Sequence, residues 1–245
     1  MAFHYSPKIV TNGLVFYVDA ANPKSFVNGN TTWNDLSRSG NNGTLTNGPT
    51  FDSGNGGSIS FDGVNDYYLG DFSSIINETT TGVSPIFTIS NWVYLTPNSG
   101  IVDGLANISP DAGSWVQYYW YSNPSGPTLN FNKNKSGVSN GRTFQVRSQP
   151  NVILPNKWNN VVTVYDSGNV SFYCNGSLLT STIFVNDGDS TIVDNNFSLI
   201  FGKNNIGIGG ESLNGKIAKY NIYNRALTDS EVLQNYNATK GRFGL

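Results

Sequence analysis

Apolar and polar residues alternate along most of this chain with a period of two, the spacing that sends every second side chain to one face of a strand. Residues 13–20 (GLVFYVDA) read as a strand, and so do 58–62, 67–70 and 86–95 (IFTISNWVYL). The pattern continues through 115–121 (WVQYYWY), 128–132, 142–147, 158–165, 170–174, 197–202 and 216–223. Val, Ile, Thr and the aromatic residues that fill these segments suit a pleated, half-buried surface. Strands of this length and spacing predict a β-sandwich in place of alternating strands and helices.

The connections carry turn chemistry. Asn12-Gly13, Asn42-Gly43, Asn47-Gly48, Asp62-Gly63 and Asn175-Gly176 are pairs that tolerate positive φ. The clearest hairpin runs from Asn169 to Leu179: the strand 170–174 turns at Asn175-Gly176 into Ser177-Leu178-Leu179. A short turn is expected around Asn22-Pro23-Lys24, after the first strand. One helix is predicted, over 230–238. Thr228 and Glu231 form a capping box, Val232, Leu233 and Tyr236 make an apolar face, and Gly241 is the expected stop.

Composition narrows the function classes. The 245 residues carry 14 basic and 16 acidic side chains, and charged residues are only 12% of the chain, about half the usual share. No basic footprint marks a nucleic-acid binder, and no apolar run approaches the ~20 residues that would insert in a membrane. A single cysteine rules out an internal disulfide framework or a cysteine zinc site. The single histidine, His4, leaves no multi-histidine metal centre. Residues 1–8 lack the charged and apolar regions of a signal peptide, so none is expected. We expect a single domain over 1–245, with 1–10 as a flexible N-terminal arm.

Catalytic chemistry is poorly represented. Sugar hydrolysis uses two carboxylates flanking one bond. The three glutamates, Glu78, Glu211 and Glu231, lie far apart, and Glu231 is assigned to the helix cap. Distant aspartates that converge in space remain as an alternative, with Asp62, Asp66, Asp103 and Asp166 as candidates. A non-enzyme is the expectation. Cys174 alternates with Phe172 and Val170 and reads as a small buried hydrophobe.

Two features are candidate binding sites. The first is the aromatic stretch Trp115, Tyr118, Tyr119, Trp120 and Tyr121, followed by Asn123 in a loop. Either both faces of this strand are covered, or one presents flat rings and polar donors to a sugar. The second is Asp62-Gly63-Val64-Asn65-Asp66, where Asp62, Asn65 and Asp66 place three oxygen-bearing side chains within five residues. It is either a hairpin turn or part of a Ca²⁺ site. Asp187-Gly188-Asp189 is a second such turn.

Five segments in order carry a resemblance. They are Ser58-Ile59-Ser60-Phe61-Asp62-Gly63-Val64-Asn65-Asp66-Tyr67, Phe87-Thr88-Ile89-Ser90-Asn91-Trp92-Val93, residues 157–166 (KWNNVVTVYD), residues 170–176 (VSFYCNG) and residues 214–228 (NGKIAKYNIYNRALT). Together they resemble the laminin-G-like, concanavalin A-like lectin/glucanase superfamily. Residues 13–21, Thr32-Trp33-Asn34-Asp35-Leu36-Ser37, Asn41-Asn42-Gly43-Thr44-Leu45 and residues 235–243 are similar to versions in structural proteins of tailed bacteriophages. The resemblance implies an all-β, concanavalin A-like jelly-roll sandwich of two antiparallel sheets with one short C-terminal helix. It implies a lectin-like virion component, in capsid or tail decoration or as an adhesin, that contacts host-surface glycans, with Ca²⁺ as the cofactor many relatives use. A purely structural cement or spacer that binds other virion proteins, with homo-oligomers among its assemblies, is the alternative. The expected location is the virion. Core candidates are Trp92, Trp158, Phe172, Phe201 and Ile222.

Overall fold

Two antiparallel sheets face each other, as the period of two requires. The computed structural model describes residues 7–71, 86–96, 102–109, 116–123, 126–134, 142–186, 198–203 and 212–245. Of residues 71, 102–109, 116–123, 126–127, 132–134, 142–143 and 185–186 it describes the backbone. In chain order the strands are β1 (Leu14–Asp19), β2 (Thr32–Trp33), β3 (Gly43–Thr46), β4 (Thr50–Asp52), β5 (Ser58–Asp62) and β6 (Tyr67–Asp71). Next come β7 (Ile86–Leu95), β8 (Val102–Ser109), β9 (Val116–Asn123), β10 (Gly126–Asn134), β11 (Arg142–Ser148) and β12 (Trp158–Asp166). The last are β13 (Asn169–Cys174), β14 (Ser177–Leu178), β15 (Ser181–Asn186), β16 (Ser198–Phe201) and β17 (Asn214–Tyr223), followed by helix α1 (Asp229–Thr239).

Among these, eight strands form one sheet in the order β14-β13-β12-β7-β17-β5-β4, with β1 joined to β17. The other nine run β15-β11-β10-β9-β8-β16-β6-β3-β2. The facing surfaces bury the alternate apolar residues: Phe16, Ile59, Phe87, Ile89, Phe172 and Ile222 from the first sheet, Leu45, Leu129, Phe131 and Leu199 from the second. Phe201 joins the two. Its ring stacks 4.2 Å from Tyr68 in its own sheet and 4.6 Å from Tyr220 in the other. Gly43 serves this packing. A Cβ there would lie 2.1 Å from Cζ of Tyr68, so it is a close-approach glycine within β3, and the expected Asn42-Gly43 turn is not made. Gly13, Asn47, Gly48, Gly63, Asn175 and Gly176 do take positive φ at the other expected turns.

The 169–179 hairpin forms as expected, with Cys174 buried behind it. So does the turn after β1, where Ser25 and Phe26 N–H groups donate to the carbonyl of Asn22.

Helix α1 lies on the outer face of the eight-stranded sheet and makes it the middle layer of three. Val232 packs with Val162, Val164, Tyr173, Tyr223 and Leu227. Tyr236 and Phe243 pack with Trp92 and Trp158, the Trp92 and Phe243 rings stacking at 4.0 Å. Phe172, Phe201 and Ile222 sit between the sheets, but Trp92 and Trp158 belong to this second apolar layer. The capping box at Thr228 and Glu231 forms. The helix does not stop at Gly241. It tightens into a 3-10 turn over Lys240–Phe243 and ends at Gly244, whose φ is 75°. Residues 8–10 of the expected arm are fastened to the helix. Asn235 Oδ1 accepts from Val10 N at 2.8 Å, and Gln234 Nε2 donates to the Lys8 carbonyl at 2.8 Å.

Candidate functional site

Helix α1 covers the outer face of one sheet; on the other, the nine-stranded sheet turns a row of polar side chains away from the core, and most of that row is buried too, Thr128, Asn130 and Gln145 being 4%, 0% and 3% exposed. Strand β9 lies inside that sheet, between β8 and β10. Trp115 lies outside the described residues. Of Tyr118, Tyr119, Trp120, Tyr121 and Asn123 the backbone is described, and the register is clear. Tyr118 and Trp120 pair with Phe131 and Leu129, Tyr119 and Tyr121 pair with Asn130 and Thr128, and Asn123, expected in a loop, closes β9 opposite Gly126.

Leu129 and Phe131 of β10 point into the core. Alternation therefore turns Thr128 and Asn130 to the outer face. On β11, Phe144 and Val146 are core residues, and Gln145 and Arg147 turn outward beside them. Asn130 is directly opposite Arg147. Asn130 Nδ2 donates to Thr128 Oγ1 at 3.1 Å, and Arg147 Nη2 donates to Gln145 Oε1 at 3.3 Å. Among the described residues three polar atoms in this row are buried without a partner: Asn130 Oδ1, Gln145 Nε2 and Arg147 Nε. An unpaired buried polar atom costs about 1–3 kcal/mol, so the row holds both donor and acceptor capacity that the described residues leave unused. The Arg147 guanidinium lies 4.5 Å over the Phe184 ring, on β15 at the sheet edge. These residues escaped notice in the sequence, though the alternation of 128–131 and 144–147 carries them.

The second candidate, Asp62 to Asp66, is not a hairpin. It joins β5 to β6, which belong to different sheets, and so forms a corner between the layers. Asp62 Oδ1 accepts from Val64 N at 2.8 Å and Asn65 N at 3.4 Å. Asp66 Oδ2 accepts from Asp62 N at 3.1 Å. The carbonyls of Val64 and Asn65 accept from Ser212 Oγ and Asn47 Nδ2. Asp66 is buried, and burial, with the Asp62 charge adding to it, raises its carboxyl above the ordinary value. Asp62 Oδ2 and the unpartnered Asp66 Oδ1 are the carboxylate oxygens left over. Ca²⁺ takes about six to eight oxygens, and among the described residues no cluster of three or more acidic, His or Cys side chains forms. With two carboxylate oxygens left over, the turn alone does not supply the ion's shell; its other side-chain and carbonyl oxygens close the corner. Asp187-Gly188-Asp189 lies outside the described residues.

The carboxylates considered for catalysis are scattered. Glu231 is consumed by its cap and by Arg225, whose two amino groups bond its oxygens at 2.8 and 2.6 Å. Asp66 is closed to solvent and Asp166 is exposed at the end of β12. Glu78 and Glu211 lie outside the described residues, and of Asp103 the backbone is described. Cys174 is buried, and burial pushes its thiol up to about 12, so it is a packing residue.

Solved structures share this architecture. Domain 4 of an arabinanase from Geobacillus stearothermophilus, seen with arabinotriose, aligns at a TM-score of 0.61 and 18% identity, over 93% of this chain and 100% of that one. The binding domain of botulinum neurotoxin DC, seen with rat synaptotagmin II, aligns at 0.65 and 15%, over 94% and 52%. A sialidase of Trypanosoma rangeli aligns at 0.60 and 14% over 93% of this chain, which spans about a third of the sialidase, 33%. At these identities the likeness is one of fold. No curated protein sequence matches the chain. A profile of the concanavalin A-like lectin/glucanases superfamily, laminin-G type, does match, over residues 62–233. That stretch runs from the inter-sheet corner through both candidate surfaces to the capped helix, and the chain belongs to this superfamily.

Proposed function

We propose that this protein is a non-enzymatic, lectin-like component of a virus particle, and that the outer face of its nine-stranded sheet contacts glycans. The observation that carries the reading is the row of Asn130, Gln145 and Arg147 with its unpartnered polar atoms, in register with the aromatic strand β9. Sugars are recognised by hydroxyl hydrogen bonds together with ring faces. The membership in a lectin/glucanase superfamily and the arabinotriose seen with a domain of the same fold support it. The virion setting rests on the likeness of residues 13–21, 32–37, 41–45 and 235–243 to tailed-phage structural proteins.

A glycan array followed by isothermal titration, with Ca²⁺ and with a chelator, tests it. The expected result is binding to a defined glycan that falls at least tenfold in Arg147→Ala and Gln145→Ala, each titrated below its own melting temperature while folded. Blank arrays under both conditions, or unaltered affinity in both variants, would refute it.

A second reading, a cement or spacer protein, is favoured by Ile183 and Phe184. They lie on the edge strand β15 and are 57% and 56% exposed. An edge with apolar side chains invites another subunit. Recovery of the protein only outside purified particles would sink this reading.

A further inference from the structure

A cavity of ≈ 830 Å³ opens at the opposite side of the molecule, where β1 meets the end of α1. Its floor is the outer face of β1 and β17, with Tyr17, Asp19 and Lys219 side by side. The segment beginning at Pro7 forms one wall, and the last turn of α1 with the 3-10 turn after it forms the other. Leu14, Ile9 and Leu36 give it an apolar lining.

Lys219 is only 5% exposed. Asp19 is its cross-strand neighbour, yet the Asp19 carboxylate is committed elsewhere. It takes Arg242 Nη1 at 2.6 Å, the Tyr17 hydroxyl at 3.3 Å and the Ala21 N–H at 3.0 Å. Among the described residues no oxygen accepts from Lys219 Nζ; it rests 4.6 Å over the Tyr17 ring. The Asp19 charge favours the ammonium without a hydrogen bond to it and is shared with Arg242; a buried cation so incompletely paired is expensive, and this one faces a cavity within the ~300–1,000 Å³ range of small-ligand sites.

We propose that this cavity binds a small monocarboxylate with a compact ring body, Lys219 meeting the carboxylate and the Tyr17 ring and apolar wall receiving the ring. Three features favour a single negative charge over a phosphate. One ammonium, that of Lys219, is buried in the cavity floor, while those of Lys8 and Lys240 lie exposed and half-buried at its walls. Arg242, the residue with a fork for phosphate, is spent on Asp19 and on the carbonyls of Asn55 and Gly57. The helix end that lines the cavity is the carbonyl end of α1, which disfavours dense negative charge.

The bland alternative lies directly beneath. A void of ≈ 10 Å³ touches Lys219, Asn160 and Asn221, and Asn160 Oδ1 and Asn221 Oδ1 are buried without partners. One water there would satisfy all three groups, and Lys219 would then be a structural residue.

The test is titration of the full chain, by calorimetry and NMR, with galacturonate, benzoate, galactose and inorganic phosphate. Galacturonate and benzoate separate a sugar body from an aromatic one. The expected result is that at least one carboxylate binds at least tenfold more tightly than galactose and phosphate. In Lys219→Met that preference disappears. Should this variant fail to fold, the wild-type protein still decides: acylation of Lys219 by an N-hydroxysuccinimide ester, followed by mass spectrometry, slows several-fold with the bound carboxylate present. Affinity also depends on pH. Burial lowers the Lys219 ammonium to about 8, and the groups facing it are Tyr17 and Asp19 on β1, Lys8 in the N-terminal segment, and Lys240 and Arg242 after α1. Tyr17 is raised by burial above its ordinary value and stays neutral over this range. Binding therefore weakens about tenfold between pH 7 and 9 as the ammonium is lost. No carboxylate binding, equal binding of phosphate, no protection of Lys219, or an affinity flat from pH 7 to 9 overturns the proposal.

Discussion

Glu231→Gln probes the joint that fastens α1 to the sandwich. Arg225, between β17 and α1, grips both oxygens of Glu231 and also donates to the carbonyl of Asn12 at 3.0 Å. The joint therefore ties the helix to both ends of the chain. The Arg225 guanidinium, with the N–H of Thr228 adding to it, lowers the Glu231 carboxyl from 4.5 to about 2. A carboxyl depressed in the folded state contributes stability that is fully present above its ordinary value and is lost as the pH falls through its folded one. At about 1.4 kcal/mol per pH unit, the gap corresponds to at most ~3.5 kcal/mol. Both side chains are 26% exposed, and solvent screening brings the expected contribution to ~1–2 kcal/mol. For a domain of this size that is ~3–6 °C in melting temperature. Gln retains the capping geometry at N3 and removes the charge. Thermal unfolding of both proteins from pH 7 to 2 should show the full deficit of the variant at pH 7 and its disappearance near pH 2. The acid limb shared by both has another source in Asp52, lowered by its bond to Lys216, which is why the difference between the proteins is the quantity to read. A deficit that stays constant with pH would refute the electrostatic account.

Phe201→Ala removes the ring that joins the sheets and should cost ~3–5 kcal/mol in urea unfolding; a loss under ~1.5 kcal/mol would mean the Tyr68 and Tyr220 rings close the gap. Gly43→Ala drives a methyl group into the buried Tyr68 ring and should cost ~1–3 kcal/mol; a neutral result would show that β3 shifts freely. Cys174, with its thiol raised to about 12 by burial, should resist alkylation at pH 7.5 until urea unfolds the chain. Rapid labelling of the native protein would contradict its burial.

The fold was readable where one face of a strand is apolar and the other is not. β5 and β7 match their expected spans, and the Asn175-Gly176 pair after β13 acts as a turn. Reading failed where that contrast is missing or where the chain is short. β2 and β4 have two and three residues, too few for a period to register, whereas β14, equally short, is marked by the Asn175-Gly176 turn before it. β8 (VDGLANIS) mixes glycine and polar residues with apolar ones. Trp92 and Trp158 looked like core because a large ring is normally buried. The apolar face of α1 signals a second apolar layer, but nothing local says that Trp92 and Trp158 are the residues it covers. Asn42-Gly43 looked like a turn because glycine has two uses, positive φ and close approach, and only the position of Tyr68 decides between them. The aromatic stretch of β9 was legible, but its polar neighbours on β10 and β11 were not singled out, since nothing local says which strands lie side by side. Lys219 was hidden by a bulge. Plain alternation puts Ile217 and Lys219 on one face. The register shift between them inserts a residue, so Ile217 points into the core and Lys219 to the outer face.

The two sheets divide the work between them. The eight-stranded sheet is enclosed by the core on one side and α1 on the other, so nearly all its apolar residues have partners and its outer polar groups meet the helix, as Asn235 meets Val10 and Tyr223. The nine-stranded sheet also has its outward residues on β10 and β11 closed off, Asn130 and Gln145 being buried, but these residues are polar while their inward neighbours are Leu, Phe and Val. A chain with 12% charged residues has few means of paying for unpaired polar groups by ion pairs. Among the described residues, unpartnered atoms at Asn130, Gln145 and Arg147, and a buried Lys219 ammonium whose neighbour Asp19 is bonded to Arg242, are therefore departures from a frugal composition. The two groups sit on outer faces of opposite sheets, one proposed here for hydroxyls and the other for a negative charge. Their chemistries differ enough that loss of binding at one should leave the other intact, and the Lys219→Met variant assayed against the glycan array is the experiment in which that independence would show.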